Sequence, residues 1–166
     1  MRKELYKDIC KVLGTLYSIP GDGIYQLKEG DTAPENAERV VKHIDLWNQN
    51  VEFIEEEMAW ERPAVFVEFN PIRWREVMQG VEYRAETSIN LHIVSDWGGG
   101  TYDGCELKEE SLNVFDLSDQ IHAALCGLTG ERFADFDIIE TKTNHNHEEI
   151  VEHIDVYKFV AIKRLD

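Results

Sequence analysis

The alternating stretch at residues 81–95 constrains the fold more than any other part of the sequence. Its apolar residues Val81, Tyr83, Ala85, Thr87, Ile89, Leu91 and Ile93 are separated by Glu82, Arg84, Glu86, Ser88, Asn90 and His92. Successive side chains of a strand point to opposite faces of a sheet, whereas a helix would scatter these polar groups around its cylinder. The stretch therefore predicts a long strand with one buried face and one face in water.

Three further strands are predicted around this one. Residues 64–69 form an apolar run, and residues 133–143 and 150–164 flank a polar turn at 144–149. The run at 64–69 lies just upstream of the alternating strand, so the simplest pairing of the two is antiparallel. The last two strands are predicted to form a terminal hairpin.

Helices are predicted in three places, because apolar residues recur there at helical spacing. They cover residues 2–16, a segment from about Thr32 to about Met58, and a segment capped by Asn113 that ends at Gly127 or Gly130. Residues 18–33 are predicted to be a loop, and residues 72–80 an irregular or short helical connector. The expected fold class is α+β, with a mostly antiparallel four-stranded sheet (a ββαββ core) on which the N-terminal and central helices pack.

The composition is that of an acidic globular protein. The 166 residues are 43% hydrophobic, which predicts one α+β domain over residues 1–166. With 33 acidic and 17 basic residues the net charge is −16, so we expect no sequence-specific nucleic acid binding, although DNA can pass without adhering. Cys10, Cys105 and Cys126 are widely spaced, which indicates reduced thiols. Without a signal peptide or a long apolar run, the chain is expected to be soluble, intracellular and not bound to a membrane.

The residues suited to metal binding concentrate in the turn His145-Asn146-His147-Glu148-Glu149, near His153. These groups sit at one hairpin tip, and position 151 holds Val151 where the HExxH zinc motif requires a histidine. A hydrated polar turn is therefore favoured over a metal site or a hydrolase centre. No GxSxG, P-loop or dinucleotide fingerprint occurs. The prediction is a non-enzymatic protein with no catalytic residue, metal or cofactor.

A glycine-rich loop, Trp97-Gly98-Gly99-Gly100-Thr101-Tyr102-Asp103-Gly104, follows the alternating strand. Three consecutive glycines make it flexible, and Trp97 and Tyr102 are large and amphipathic. A loop of this kind at a strand end is either a binding arm or a plain connector, and the sequence favours neither.

The final strand is apolar on both faces. Ile154, Val156, Val160 and Ile162 share one parity, and Tyr157, Phe159 and Ala161 share the other. An antiparallel strand with one wet face does not have this pattern. Either a helix of the same chain covers the second face, or another subunit does.

The order of these elements resembles that of tail terminator (tail-completion) proteins of long-tailed bacteriophages. The resemblance rests on the N-terminal helix, on Arg62-Pro63-Ala64-Val65-Phe66-Val67-Glu68-Phe69, on Leu91-His92-Ile93-Val94-Ser95-Asp96, on the helix Phe115-Asp116-Leu117-Ser118-Asp119-Gln120-Ile121-His122-Ala123-Ala124-Leu125, and on the terminal strand pair. It covers nearly all of the chain from about Glu61. The acidic segment at residues 35–58 departs from the compact pattern of that family.

The resemblance implies a non-enzymatic virion assembly protein that forms a homo-oligomeric ring, commonly of six subunits. Such a ring caps the tail tube, stops its polymerisation and joins it to the head connector, in the virion or in the host cytoplasm during assembly. Heterologous contacts build rings of this type. The expected interface residues are Trp97, Gly98, Gly99, Gly100, Tyr102, Tyr157 and Phe159.

Three other functions remain open from the sequence. A head–tail connector (neck) protein is the nearest of them. An intracellular binding or regulatory domain unrelated to virions would use the loop at residues 97–104 to hold a ligand. A hydrolase would use the His145 and His147 region.

Overall fold

The computed structural model describes residues 1–48, 60–97, 99–144 and 150–165, and shows a mixed α/β protein with a mostly antiparallel sheet. The elements in chain order are α1 (Arg2–Leu13), β1 (Leu16–Ile19), β2 (Gly23–Gln26), β3 (Glu38–Arg39), β4 (His43–Leu46), β5 (Ala64–Phe69), β6 (Arg75–Met78), β7 (Glu82–Asp96), α2 (Lys108–Leu125), β8 (Phe133–Asn144) and β9 (Ile150–Arg164). Six strands form the main sheet in the order β4-β5-β7-β9-β8, with β6 also paired to β7. A small second sheet has the order β2-β1-β3.

Strand β7 is the centre of the main sheet, which confirms the long strand predicted from alternation. It pairs antiparallel with β9 over its full length, from Glu82 opposite Arg164 to Asp96 opposite Ile150. Its second half also pairs antiparallel with β5, which confirms the predicted partner. The terminal hairpin is confirmed as well, because β8 pairs antiparallel with β9. Its predicted turn lies almost wholly at residues 145–149, outside the described residues.

Both helices pack on one face of this sheet. Their buried side chains include Leu5, Ile9 and Leu13 of α1 and Leu117, Ile121 and Leu125 of α2. Against them lie Ile89 and Leu91 of β7 and Tyr157 and Phe159 of β9, all in the same apolar cluster. Each of these side chains contributes roughly 1.5–3 kcal/mol by leaving water. The helix-covered face is therefore the main core of the protein.

A smaller aromatic layer covers part of the opposite face. Ala64, Phe66, Val94 and Ile150 form a second buried cluster, with Trp47 and Trp60 packed against it. The face of β7 that carries its polar residues was predicted to lie in water along the whole strand. This is wrong for the second half of the strand, where His92 is only 4% exposed. The aromatic layer removes that half from water.

The predicted helix from about Thr32 to Met58 is wrong over its described part. Residues 38–39 and 43–46 are strands β3 and β4, and residues 49–59 lie outside the described residues. Strand β4 pairs in parallel with β5, with His43 opposite Ala64. The β-branched Ile44 lies in β4, and Val40 and Val41 are buried between β3 and β4, so backbone pairing and burial override the helical spacing of these residues.

Three further boundaries differ from the prediction. The predicted loop at 18–33 contains most of the β1–β2 hairpin, and the connector at 72–80 contains the short strand β6. Helix α2 begins at Lys108 rather than after Asn113, because buried Ser111 and Val114 extend its apolar face and two glutamates favour its first turn. The expected four-stranded ββαββ core is not confirmed, since the sheet has six strands.

Within the described ranges, neither helix is long and apolar enough to cross a membrane.

Candidate functional site

The structure separates the predicted interface residues into two groups. Trp97 and Tyr102 are 39% and 71% exposed in the loop between β7 and α2, and Gly98 lies outside the described residues. Gly99 has a φ of 114°, and a Cβ added at Gly100 would lie 2.8 Å from the Tyr102 ring. Gly99 therefore suits its backbone conformation, whereas a side chain at Gly100 would have to displace the exposed Tyr102 ring.

Tyr157 and Phe159 lie in the core instead. Their residues are 0% and 2% exposed, and both stack or tilt against the ring of Phe136. The face of β9 that carries Tyr157 and Phe159 is thus covered by the chain's own helices rather than by another copy. On the other parity Val156 is buried, while Ile154, Val160 and Ile162 are partly exposed.

The loop and the start of α2 form one acidic surface with exposed apolar side chains, which we call the acidic surface. Its large apolar members are Trp97, Tyr102, Leu107 and Phe115, all at least 39% exposed. Its carboxylates are Asp103, Glu106, Glu109, Glu110 and Asp116, against the single cation Lys108. This surface includes the part of the predicted interface that is open to solvent.

The hairpin of β6 and the first part of β7, together with the end of β9, forms a second exposed apolar surface, which we call the arm. Its large apolar members are Trp74, Val77, Met78, Val81 and Leu165, between 38% and 58% exposed. Its cations are Arg73, Arg75, Arg84, Lys163 and Arg164, against the carboxylates Glu76 and Glu82. In a chain of net charge −16, the arm is locally basic.

The carboxylates of the arm are already engaged inside it. Glu82 accepts hydrogen bonds from Arg164 at 3.0 Å and from Arg84 at 2.8 Å, and these two guanidinium groups lower its pKa. Glu76 accepts bonds from the Gly80 amide and the Tyr83 hydroxyl. Arg73 and Arg75 make no ion pair with another described residue. Both line one pocket with Arg84 and with the exposed carboxylate of Glu86.

A groove of about 620 Å³ runs beside the arm. Phe69, Ile72 and Trp74 supply apolar surface, and Arg2, Arg132 and Lys163 supply cations. Its described lining contains no carboxylate. Lys163 Nζ lies 6.0 Å from the Trp74 ring centroid, which places a cation against an aromatic face. The arm and this groove together form a basic and apolar surface.

A buried polar network lies on the opposite side of the sheet from the helices. His92 Nδ1 is 2.7 Å from Glu152 Oε1, and His92 Nε2 is 2.7 Å from Glu68 Oε2. Asn90 also donates to Glu68 at 3.0 Å. The Trp47 ring stacks on the imidazole, with centroids 3.8 Å apart and planes 2° apart.

This geometry describes a structural bridge rather than a catalytic histidine. Neither nitrogen of His92 is open to a substrate, because each faces a carboxylate and Trp47 covers the ring. The network joins β5, β7 and β9 through their side chains.

The sequence analysis missed the arm and its groove. Residues 72–80 were interpreted as an irregular connector, although Arg73-Trp74-Arg75 is a basic and aromatic triplet within an acidic chain. That local reversal of charge was the available signal. The sequence contains no local signal for the groove, because Arg2, Arg132 and Lys163 come from three separate parts of the chain.

The predicted metal-like turn at 145–149 lies outside the described residues, and His153 is buried with its ring 5.5 Å from that of Phe115. Comparison of the sequence with models of known protein families gave no match, and no curated protein matches it.

Proposed function

We propose that this protein is a subunit of a homo-oligomeric ring of the bacteriophage tail terminator kind, which caps the tail tube and joins it to the head connector. The observation that carries the proposal is a pair of complementary surfaces on one chain. The arm with its groove is basic and apolar, and the acidic surface is acidic and apolar. Opposite electrostatic potentials steer two partners together, and apolar side chains supply the surface that is buried when they bind.

The two surfaces lie at opposite ends of the longest strand. The arm includes the Glu82 end of β7, and the acidic surface follows its Asp96 end. A strand of 15 residues spans roughly 50 Å at about 3.3 Å per residue. One molecule therefore cannot pair its own two surfaces, whereas a second copy can.

Contacts between different surfaces of identical chains are heterologous and close into a ring when the rotation between copies allows it. Both β6 and β8 contain register irregularities, which discourage extension of the sheet at those strands, whereas the edge strand β4 pairs regularly with β5. The proposed contact is made by the exposed side chains of the two surfaces. The net charge of −16 suits a channel that DNA crosses without adhering.

The test is the molar mass of the full chain in solution, measured by light scattering after size exclusion. The wild type is expected to form one discrete oligomer. Arg75→Glu with Lys163→Glu should dissociate it, because both side chains are exposed cations of the arm. A matched control, Lys7→Glu with Lys28→Glu, makes the same change in net charge at exposed sites away from the arm and should leave the oligomer intact.

A charge swap makes the experiment specific. Adding Glu106→Lys, Glu109→Lys and Glu110→Lys to the dissociated arm variant should restore the oligomer, because the net charge of the acidic surface then changes from −4 to +2. Binding to tail tube protein in a pull-down tests the assembly role separately. A wild type that stays monomeric at high concentration and ignores tube protein would contradict the proposal.

The exposed Trp97 and Tyr102 also suit the second candidate, an intracellular binding domain that holds a ligand with this loop. Trp97→Ala and Tyr102→Ala would then abolish ligand binding while the chain remained monomeric. A head–tail connector would share the ring but bind head proteins instead of tube protein.

A further inference from the structure

The end of helix α2 meets strand β8 at a cluster of three different potential metal ligands. The donor atoms of His122, Cys126 and Asp137 all lie within 4.8 Å of one another. His122 belongs to the last turn of α2, and Cys126 follows it by one turn, with its amide donating to the His122 carbonyl at 2.9 Å. The amide of Gly127 donates to the Phe136 carbonyl at 3.3 Å, which holds the end of the helix against β8.

A buried hydroxyl lies beneath this cluster. Tyr157 is 0% exposed, and its Oη finds no hydrogen-bond partner among the described residues. Its ring centroid is 6.1 Å from that of His122.

The chemistry of the set is specific. Imidazole nitrogen, thiolate sulfur and carboxylate oxygen together suit zinc or another borderline divalent metal, whereas magnesium and calcium prefer oxygen ligands alone. Zinc bonds of about 2.0–2.3 Å put neighbouring donors of a tetrahedral site roughly 3.2–3.8 Å apart. The exposed side chains of Cys126 and Asp137 can close the present spread by rotating about their χ angles.

We propose that His122, Cys126 and Asp137 bind a zinc-class divalent metal ion, with the Tyr157 hydroxyl beside the fourth coordination position. The ion would link the C-terminal end of α2 to β8. Three protein ligands leave one position for water, to which the Tyr157 hydroxyl can hydrogen-bond. The proposal is independent of the assembly role, because these residues belong neither to the arm nor to the acidic surface.

The test is titration of the full reduced chain with Co²⁺, followed by competition with Zn²⁺. Tetrahedral cobalt bound to a thiolate gives visible d–d bands and a near-ultraviolet charge-transfer band. We expect one equivalent of Co²⁺ to produce both, and Zn²⁺ to remove them. Cys126→Ser should abolish the charge-transfer band and weaken zinc binding by about tenfold or more. Tyr157→Phe should keep the band and weaken binding less.

Two controls separate this cluster from other ligands of the chain. Cys105→Ser removes a different partly exposed thiol and should keep the band. His145→Ala with His147→Ala removes the histidines of the predicted polar turn and should also keep it. Circular dichroism and the melting temperature of the metal-free variants establish that each one is folded. No charge-transfer band in the wild type, or a band that survives in folded Cys126→Ser, would overturn the proposal.

Discussion

At the scale of single residues, His92 is the centre of the buried polar network on the face of the sheet opposite the helices. It lies 4% exposed between Glu152, whose side chain is 2% exposed, and Glu68, whose side chain is 36% exposed. Removing one partner of a buried ion pair leaves the other charge desolvated, whereas replacing the whole pair by apolar groups is often tolerated. The free energy of unfolding should therefore respond very differently to single and double changes.

His92→Phe keeps a ring beneath Trp47 but removes the imidazole from Glu152, which keeps its hydrogen bond from Asn144. We expect this variant to lose about 1–3 kcal/mol of the free energy of unfolding. Adding Glu152→Leu should recover most of the loss, because no buried carboxylate then remains in the pair. Urea denaturation of the wild type, both single variants and the double variant measures the coupling. A cost below about 1 kcal/mol for His92→Phe would place the contact among weak surface pairs.

The sequence could not reveal this residue's role. His92 occupies a polar parity position in an alternating strand, which is typical of a side chain in water. Its ring is covered by Trp47, which is 45 positions away in the sequence. The apolar Val94 at the same parity was the only nearby sign of a covered face. Local periodicity reports which side chains share a face, and it does not report what covers that face.

At the scale of elements, helix α1 is joined to strand β4 through Tyr6. The Tyr6 hydroxyl donates to the Ile44 carbonyl at 3.5 Å. Burial, helped by the neighbouring Cys10 thiol, raises the pKa of Tyr6 to about 12. Burial also raises the pKa of Cys10. Both groups therefore favour their neutral forms where the helix meets the edge of the sheet.

The free energy of unfolding should fall between about pH 10 and about pH 12. In this range the unfolded chain releases the Tyr6 proton near its usual pKa of about 10, whereas the folded chain retains it up to about 12. Below pH 10 both states are protonated, so this stabilisation is fully present and does not change with pH. Water around the partly exposed ring limits the Tyr6 share to about 1–2 kcal/mol. Urea denaturation of wild type and Tyr6→Phe across this range measures it, and an equal slope in the two would contradict it.

Elements with their own periodicity were predicted well, and elements that depend on a distant partner were not. Helix α1, strands β5 and β7 and the terminal hairpin follow local patterns. Strand β4 has only 4 residues and exists as a strand because it pairs with β5. An isolated segment of that length has no stable strand structure, so its local spacing predicted the wrong element.

At the scale of the whole molecule, the charge distribution is uneven. The chain carries −16 overall, yet five cations collect on the arm at one end of β7. Repulsion among the remaining carboxylates opposes the compact state, and salt screens that repulsion. The same screening weakens attraction between the arm and the acidic surface of another copy, so folding and assembly should respond to salt in opposite directions.

The melting temperature of the dissociated arm variant should rise when NaCl is increased from about 0.01 M to about 0.1 M, because the Debye length falls from about 30 Å to about 10 Å. A gain of about 1 kcal/mol corresponds to roughly 2–4 °C in a domain of this size. Adding Asp22→Asn, Glu29→Gln, Asp31→Asn and Glu35→Gln to that variant, at four exposed sites, changes its net charge from −20 to −16 and should weaken the response. Equal responses would show that self-repulsion does not limit stability.

The sequence by itself determined the central strand, the first helix, the terminal hairpin and the acidic character, since each is encoded in neighbouring residues or in composition. Only the tertiary structure decided what each face meets: Tyr157 and Phe159 turn inward beneath the chain's own helices, and Arg2, Arg132 and Lys163 converge on one groove. The physical reason is the distance along the chain over which each kind of interaction acts. Backbone and periodic preferences act over a few residues, whereas burial and convergence depend on segments that folding alone brings together.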